Sequence, residues 1–381
     1  MSKIKVCHFS TVHSIIDTRV FHRECVSLAK HFDATFIGIG NFTGIRNDVN
    51  IIGIPKPESR IQRMFSSSLK VFKLAIKTKA KIYHIHDAEM IPFGIIFSLL
   101  GKKVIYDIHE NTKQDILLKP WIPESRKKII ANAYELTLKI ASKFLHFIPV
   151  VAHEKFLPIF QVKKNQYTVI QNYADANQMK KYCIEDRNIL PGNHLFYIGM
   201  IKDMYYDFGK LLDAVYLLKQ ENFPVYVHCV GYYGARTTPS FDDHPRWKEV
   251  KDNFHFYGYL DMDTGYQISM QCKVGICIKN QPENMLVSHE RKFFEYMAIG
   301  LPSIFCNSEI YTEVLNKFPI GIAVDLQNPN EIATALKKLF TDKTFYDNCV
   351  NSCKAAIDEK YNWESQEILL LDLYQKLIAN A

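Results

Sequence analysis

Ser288-His289-Glu290-Arg291-Lys292-Phe293-Phe294-Glu295-Tyr296-Met297-Ala298-Ile299-Gly300-Leu301-Pro302 decides more about this chain than any other stretch of it. Phe293, Phe294, Met297 and Ala298 recur at helical spacing, Gly300 stops the helix, and Pro302 leads into a strand at Ser303-Ile304-Phe305. Lys292 and Glu295 stand three residues apart and share one face near the helix start. A helix N-terminus favours anions, and an adjoining lysine adds a movable positive charge for a phosphate. A carboxylate one turn further in can accept two hydrogen bonds from a ribose diol. The pair therefore suits a nucleotide diphosphate. The plain alternative is an exposed i,i+3 ion pair on an amphipathic helix.

On either side of this segment, short apolar runs alternate with longer helical patterns. Ile4–Phe9, Ala34–Ile39, Ile82–Ile85, Val104–Tyr106, Leu145–Val150 and Thr168–Ile170 read as strands. Arg19–His31, Arg60–Lys79, Glu124–Ser142 and His153–Phe160 read as helices among them. Repeated βαβ means a parallel sheet covered on both faces. The polar stretch Gln171-Asn172-Tyr173-Ala174-Asp175-Ala176-Asn177 breaks the pattern, which restarts with strands at His194–Ile198, Pro224–Val230, Asn253–Tyr257, Val274–Ile278, Ser303–Phe305 and Ile320–Val324. The expected fold class is α/β, with two Rossmann-like doubly wound domains facing each other across a cleft. Residues 1–172 form the first and 173–363 the second; 381 residues is too long for one ordinary core.

Doubly wound sheets keep ligands beyond the carboxyl ends of their strands. Tyr83-His84-Ile85-His86-Asp87 ends one such strand, with His84 and His86 on one side of it. Their plain alternative is a pair of hydrogen-bonded structural histidines. A zinc site is disfavoured, because no third well-spaced ligand set follows. Val104-Ile105-Tyr106-Asp107-Ile108-His109-Glu110 is the next tip, expected beside His13, Asp17 and Arg19. His13, Asp17, Arg19, His109 and Glu110 would bind a polyhydroxylated acceptor, with Arg19 also suited to a phosphate. Asp17 could equally cap the helix that follows, leaving Arg19 to solvent. In the second half Tyr197-Ile198-Gly199 runs into a glycine turn that admits a diphosphate, and Phe256-Tyr257-Gly258 borders a base pocket. Asp261-Met262-Asp263 has the form of a metal–diphosphate DxD, but reads as a helix cap. No metal is expected.

Two stretches carry a family resemblance. Lys292–Pro302 resembles the "K-hydrophobic-hydrophobic-E-Y-M-A-x-G-x-P" signature of GT-B glycosyltransferases, in particular family-four retaining bacterial enzymes of capsule, O-antigen and exopolysaccharide synthesis. His13-Ser14-Ile15-Ile16-Asp17-Thr18-Arg19-Val20-Phe21-His22-Arg23-Glu24 resembles that group's "H-x-x-x-D-T-R-hydrophobic-x-x-K/R-E" opening. The resemblance covers essentially the whole chain and implies sugar transfer, with retention, from a nucleotide-diphosphate donor, UDP- or GDP-linked, to a lipid-linked or glycan acceptor. It implies no cofactor beyond that donor. Lys292 would stabilise the departing diphosphate, Glu295 hold the ribose, and His86 sit by the transferred sugar. A terminal helix, 364–381, would cross back to complete the first domain.

The chain also departs from the pattern. Met200 stands where most relatives place an arginine, leaving Lys202 or Lys210 to compensate only in part, and Val287 replaces a sugar-binding glutamate, a task left to Asn284, Ser288 and nearby amides. Two other functions stay open: a nucleotide-sugar epimerase of GT-B fold, and a non-catalytic nucleotide-sugar-binding subunit.

Composition narrows the partners. The net charge of +7 is unevenly spread: residues 1–170 hold about 26 Lys and Arg against about 13 Asp and Glu, roughly +13, so the remainder is roughly −6. Arg60, Arg63, Lys70, Lys73 and Lys77 interleave with Ile61, Met64, Phe65, Leu69, Phe72 and Ile76. A basic amphipathic helix of this kind is expected to lie against an anionic membrane, although a solvated outer face has the same pattern. Nucleic acid is disfavoured, since no reading motif accompanies the charge. Nine cysteines without CxxC spacing, several within apolar runs, fit reduced buried thiols. The longest apolar stretch, Met90 to Leu100, is about half of a bilayer span. The expected location is the cytoplasm, at the inner face of the cell membrane.

Overall fold

The computed structural model describes residues 3–119, 122–150, 154–160, 163–183, 189–201, 208–232, 241–278 and 288–379. The chain divides into two compact units, Met1–Asn172 with Trp363–Ala381, and Tyr173–Asn362.

In the first unit the described strands are β1 (Lys5–Ser14), β2 (Asp33–Ile39), β3 (Thr43–Arg46), β4 (Val49–Ile54), β5 (Ile82–Ile85), β6 (Lys103–Ile108) and β7 (His146–Pro149). They form one sheet in the order β3-β4-β2-β1-β5-β6-β7, parallel except for β3. The β3–β4 hairpin is an addition to the strands that the apolar runs predict. Asn47 and Asp48 both take positive φ (49° and 60°), as a two-residue hairpin turn of right-handed twist requires, and these residue types tolerate it. Thr168–Ile170 is not a strand; only Tyr167 makes a bridge there, to Phe147.

The sheet is buried on both faces. Cys7, Phe9, Tyr83, Ile85 and Phe147 point into one core, and Val6, Phe36, Ile82, Ile105 and Ile148 into the other. The terminal helix Trp363–Ala379 closes the second of these with Trp363, Leu370, Leu373 and Tyr374. The Trp363 Nε1–H donates to Ser27 Oγ at 3.0 Å, so the indole enters the core without an orphaned donor.

In the second unit β8 (Asn193–Ile198), β9 (Val225–Val230), β10 (Phe254–Gly258), β11 (Val274–Ile276), β12 (Ser303–Cys306) and β13 (Gly321–Val324) pair in the order β10-β9-β8-β11-β12-β13, all parallel. The order reverses beside β8, a switch point of the kind that opens a crevice at strand carboxyl ends. Leu195, Val227, Val274 and Ile304 pack there with Leu211, Leu212 and Val215 of the helix Phe208–Gln220 and Leu336 and Leu339 of the helix Pro329–Thr341.

Candidate functional site

In the second unit the tips of β8, β9 and β10 end in glycines with positive φ: Gly199 (145°), Gly231 (150°) and Gly258 (72°). Gly199 N–H donates to Val230 O at 2.9 Å and Gly231 N–H to Gly258 O at 2.8 Å, so the turns nest. A Cβ at Gly231 would fall 1.8 Å from Gly199 O, and one at Gly199 would fall 2.9 Å from Lys292 Nζ. At Gly231 no side chain fits against the neighbouring main chain, and at all three the positive φ favours glycine.

The helix Arg291–Ala298 buries Lys292 and Glu295 alike, at 8% and 1% exposure, so they are no surface ion pair. Their ends part. Lys292 Nζ lies 4.6 Å from the centre of the Tyr197 ring and 3.2 Å from Glu290 Oε2. Tyr197 O–H is held by Met200 O at 2.7 Å. Glu295 turns the other way: Tyr266 O–H donates to its Oε2 at 2.5 Å, and Arg291 Nε stands 2.9 Å from Oε1. The sequence expects an open carboxylate; Tyr266 and Arg291 cover it. Tyr296 O–H accepts from Ile198 N–H at 3.1 Å and so ties this helix to β8.

Tyr257 is partly exposed and engages His228 Nδ1 at 2.8 Å. Ser288 is half-buried just ahead of the helix, and Lys202 and Asn284 lie outside the described residues. The DxD is a structural pair: Asp261 caps the helix Met262–Ser269 through Thr264 N–H at 3.0 Å, and Asp263 receives Lys181 and Tyr182, each at 2.7 Å.

In the first unit β1, β5 and β6 bring five histidines together. His8 and His84 are direct partners in the β1–β5 register. His8 Nδ1 lies 3.1 Å from His86 Nε2, and His86 Nδ1 lies 3.3 Å from His109 Nε2. The His13 ring sits 4.7 Å from His109 and 5.8 Å from His86. Burial pushes the His86 imidazole down to about 4, against the opposing pull of Asp107. Burial would also lower His13, but the Asp17 carboxylate 3.2 Å away outweighs it and holds the ring above its ordinary value. Asp17 caps the following helix as one of its two readings expects, with Oδ1 accepting from Arg19 and Val20 N–H, while Oδ2 faces His13.

Arg19 requires a correction. It is 4% exposed and faces neither solvent nor an open pocket. Its Nε and NH2 grip Asp107 at 3.0 and 3.1 Å, Glu24 Oε1 lies 3.0 Å from Nε, and the Ile170 carbonyl takes NH2 at 3.3 Å. Burial raises the Asp107 carboxyl, and Arg19 with His109 reverses this, holding it well below the carboxylate range. Glu24 goes the other way, driven up by burial and by the Asp107 charge. Arg19 is thus a positioning residue beneath His86 and His109 rather than a ligand for phosphate. His13, Asp17 and His109 are half-buried and Glu110 is exposed, so these four remain the accessible members of the set.

Among the described residues, two groups of side chains could hold a cation by proximity alone, His8/Glu24/His84/His86 and His86/Asp107/His109. The sequence does not single out Tyr197, Tyr266, Glu290, His8 or Glu24: Glu290 and Glu24 stand inside the two motifs and His8 shares its strand position with His84, but only the fold brings Tyr266 to Glu295 and His8 to His86.

Residues 192–342 match the family model described as glycosyl transferases group 1. No curated protein sequence matches the chain. Among solved structures the chain is similar to sucrose-phosphate synthase from Thermosynechococcus elongatus, at TM-score 0.70 and 13% identity over 100% of both chains. It is similar to Anabaena Alr3699/HepE in complex with UDP, at TM-score 0.70 and 12% identity over 98% of this chain and 100% of that one. It is also similar to WaaG, a glycosyltransferase involved in lipopolysaccharide biosynthesis, at TM-score 0.64 and 12% identity over 96% and 98%. The chain has the two-domain GT-B fold.

Proposed function

We propose that the protein is a glycosyltransferase that moves a sugar, with retention, from a nucleotide-diphosphate donor to a lipid-linked or glycan acceptor in bacterial surface polysaccharide synthesis. One observation carries the reading: the Lys292 ammonium stands against the Gly199 turn and over the Tyr197 ring, at the start of a helix. That is a cradle for a diphosphate, with main-chain approach on one side and a positive charge on the other. The match of residues 192–342 to the group 1 model supports it.

In this reading the anomeric C–O bond breaks toward the diphosphate. Lys292 and the helix N-terminus stabilise the charge that develops on the leaving oxygen. That oxygen takes the proton of the incoming acceptor hydroxyl on the same face of the sugar, and the new glycosidic bond forms there. Lys292 does the work a divalent cation does in other transferases, so turnover needs no added Mg²⁺ or Mn²⁺. Tyr257 borders the base, Ser288 lies beside the donor sugar, and a ribose diol would displace Arg291 from Glu295. In the first unit His86, held neutral by burial, would face the transferred sugar, with His13, Asp17, His109 and Glu110 around the acceptor. The test is incubation with a panel of UDP- and GDP-sugars, with and without a lipid-linked acceptor extract and with no divalent cation added. Acceptor-dependent release of nucleoside diphosphate is the expected result. Interconversion of the donor sugar without release would assign the site to an epimerase, and binding without turnover to a non-catalytic subunit.

We further propose that the first unit docks on the inner, anionic face of the cell membrane. The helical run from Arg60 to Thr78 turns only Ser68, Val71 and Ala75 fully inward. Ile61 (74%), Phe65 (70%) and Leu69 stand exposed, flanked by exposed Lys70, Lys73 and Lys77. Arg63 is not part of that face, being half-buried and paired with Glu89 at 2.7 Å. Among the described residues no helix is long and apolar enough to cross a membrane.

A further inference from the structure

We propose that His8, His84, His86 and Glu24 form a closed four-ligand site for a divalent transition metal, zinc by preference, inside the first unit. All four are buried, at 0%, 0%, 5% and 0% exposure, and one ligand atom from each lies within 4.8 Å of every other. A tetrahedral zinc with bonds of about 2.0–2.1 Å places its ligand atoms about 3.3 Å apart. His8 Nδ1 is 3.1 Å from His86 Nε2 and 3.8 Å from Glu24 Oε2, values that bracket this edge.

The outward nitrogens supply the second observation. A histidine that ligates through one ring nitrogen needs a partner for the other, which fixes its tautomer. His8 Nε2 and His84 Nδ1 both lie 2.8 Å from the Tyr374 hydroxyl oxygen, which can accept from both N–H groups when the opposite nitrogens ligate, its own O–H then donating to neither. His86 Nδ1 has Asp107 Oδ2 at 3.6 Å and His109 Nε2 at 3.3 Å. With these taken, His8 Nδ1, His84 Nε2 and His86 Nε2 are left to offer lone pairs.

Hydrogen bonding alone does not account for the set. It can satisfy His8 and His86 by a bond between them, but His84 Nε2 is then buried with no hydrogen-bond partner among the described residues. Glu24 likewise is buried with Oε1 3.0 Å from Arg19 Nε and Oε2 3.8 Å from His8 Nδ1, neither placed as a hydrogen bond. Leaving such atoms bare costs free energy that a bound cation would remove. The charges also allow one: Glu24 offsets part of a dication, and Asp107 matches Arg19.

Three nitrogens and one carboxylate oxygen suit zinc, and four protein ligands leave no open position. The metal would therefore be structural. It would pin β1, β5 and the helix Thr18–Cys25 to one point, with Tyr374 of the terminal helix bracing it from behind. The site shares His86 with the proposed sugar contact, which with both ring nitrogens engaged would be made by its main chain or ring edge, but it is independent of the proposed diphosphate cradle, so cradle and metal can fail separately.

The test uses the full chain, free of any histidine tag, grown with zinc and purified without chelator. Elemental analysis should find about one zinc per chain. Protein stripped by dialysis against a strong chelator should take up Co²⁺ and show the intense visible absorption of a tetrahedral ion. His84→Gln should lose the metal, whereas His109→Gln should keep it, which separates this group from His86/Asp107/His109. If His84→Gln does not fold, the Co²⁺ spectrum of the stripped wild type decides. Wild type that holds no zinc and binds no Co²⁺, or His84→Gln that retains a full equivalent, would overturn the proposal.

Discussion

At the scale of single residues, Lys292 and Gly199 depend on each other. The ammonium can lie over the turn because position 199 has no side chain, and the turn takes a backbone shape that other residues resist. Lys292→Ala should reduce kcat by about 10²–10³, the usual loss when a charge-stabilising donor is removed, while nucleotide affinity changes less. Single-turnover kinetics separate the two effects; an unchanged kcat would remove Lys292 from the chemistry. Glu295 makes a different prediction. Its ribose bonds would replace Arg291, so Glu295→Gln should weaken nucleoside diphosphate binding by about 1.5–3 kcal/mol in calorimetry. Unchanged affinity would mean that its role is confined to anchoring Tyr266.

His228 gives a pH dependence at the same scale. Burial lowers its pKa to about 4, so between there and the ordinary value of 6.5 the unfolded chain binds the extra proton and the folded chain does not. The second unit should be most stable above pH 6.5 and lose stability as pH falls toward 4. Melting temperature followed over that range should slope less in His228→Gln. Equal slopes would place the acid sensitivity elsewhere.

Elements are held to one another by groups that local sequence does not pair. Arg19 opens the helix after β1 yet spends its guanidinium on Asp107 of β6, 88 residues away. Arg19→Met would leave Asp107 and Glu24 buried without their cation. It should destabilise the first unit by about 3–5 kcal/mol in urea unfolding, far more than a surface arginine. A loss under about 1 kcal/mol would indicate that neither carboxylate relies on it. Periodicity identified most of the strands, because a buried strand is a short apolar run. It missed β3 and β4, whose outer residues are exposed and whose turn signal, Asn47-Asp48, was not read as a hairpin. It places a strand at Thr168–Ile170 because Thr, Val and Ile there have the right composition, although only the preceding Tyr167 makes a bridge.

The whole molecule carries its charge unevenly, and the proposed membrane contact belongs to that scale. The face bearing Ile61, Phe65 and Leu69 with Lys70, Lys73 and Lys77 should bind anionic vesicles. Each lysine near such a surface contributes about 1 kcal/mol at physiological salt. Changing the three to glutamate should abolish most co-sedimentation, and raising salt should weaken what the wild type shows. Equal pelleting of both proteins would identify the stripe as a solvated helix face.

The sequence by itself determined the α/β class and the two-sheet GT-B fold. Both rest on the order of apolar runs and on motifs of consecutive residues such as Lys292–Pro302, which local spacing preserves. Only the tertiary structure decided which side chains meet. His8 joins His86 across 78 positions because β1 and β5 pair in register, and Tyr266 covers Glu295 because two helices pack on one face of the second sheet. Parallel strands are joined by crossovers of many residues, so partners across a sheet have no fixed separation in the chain. Burial and charge pairing, which turned Arg19 from a surface ligand into a buried anchor, exist only once those crossovers have closed.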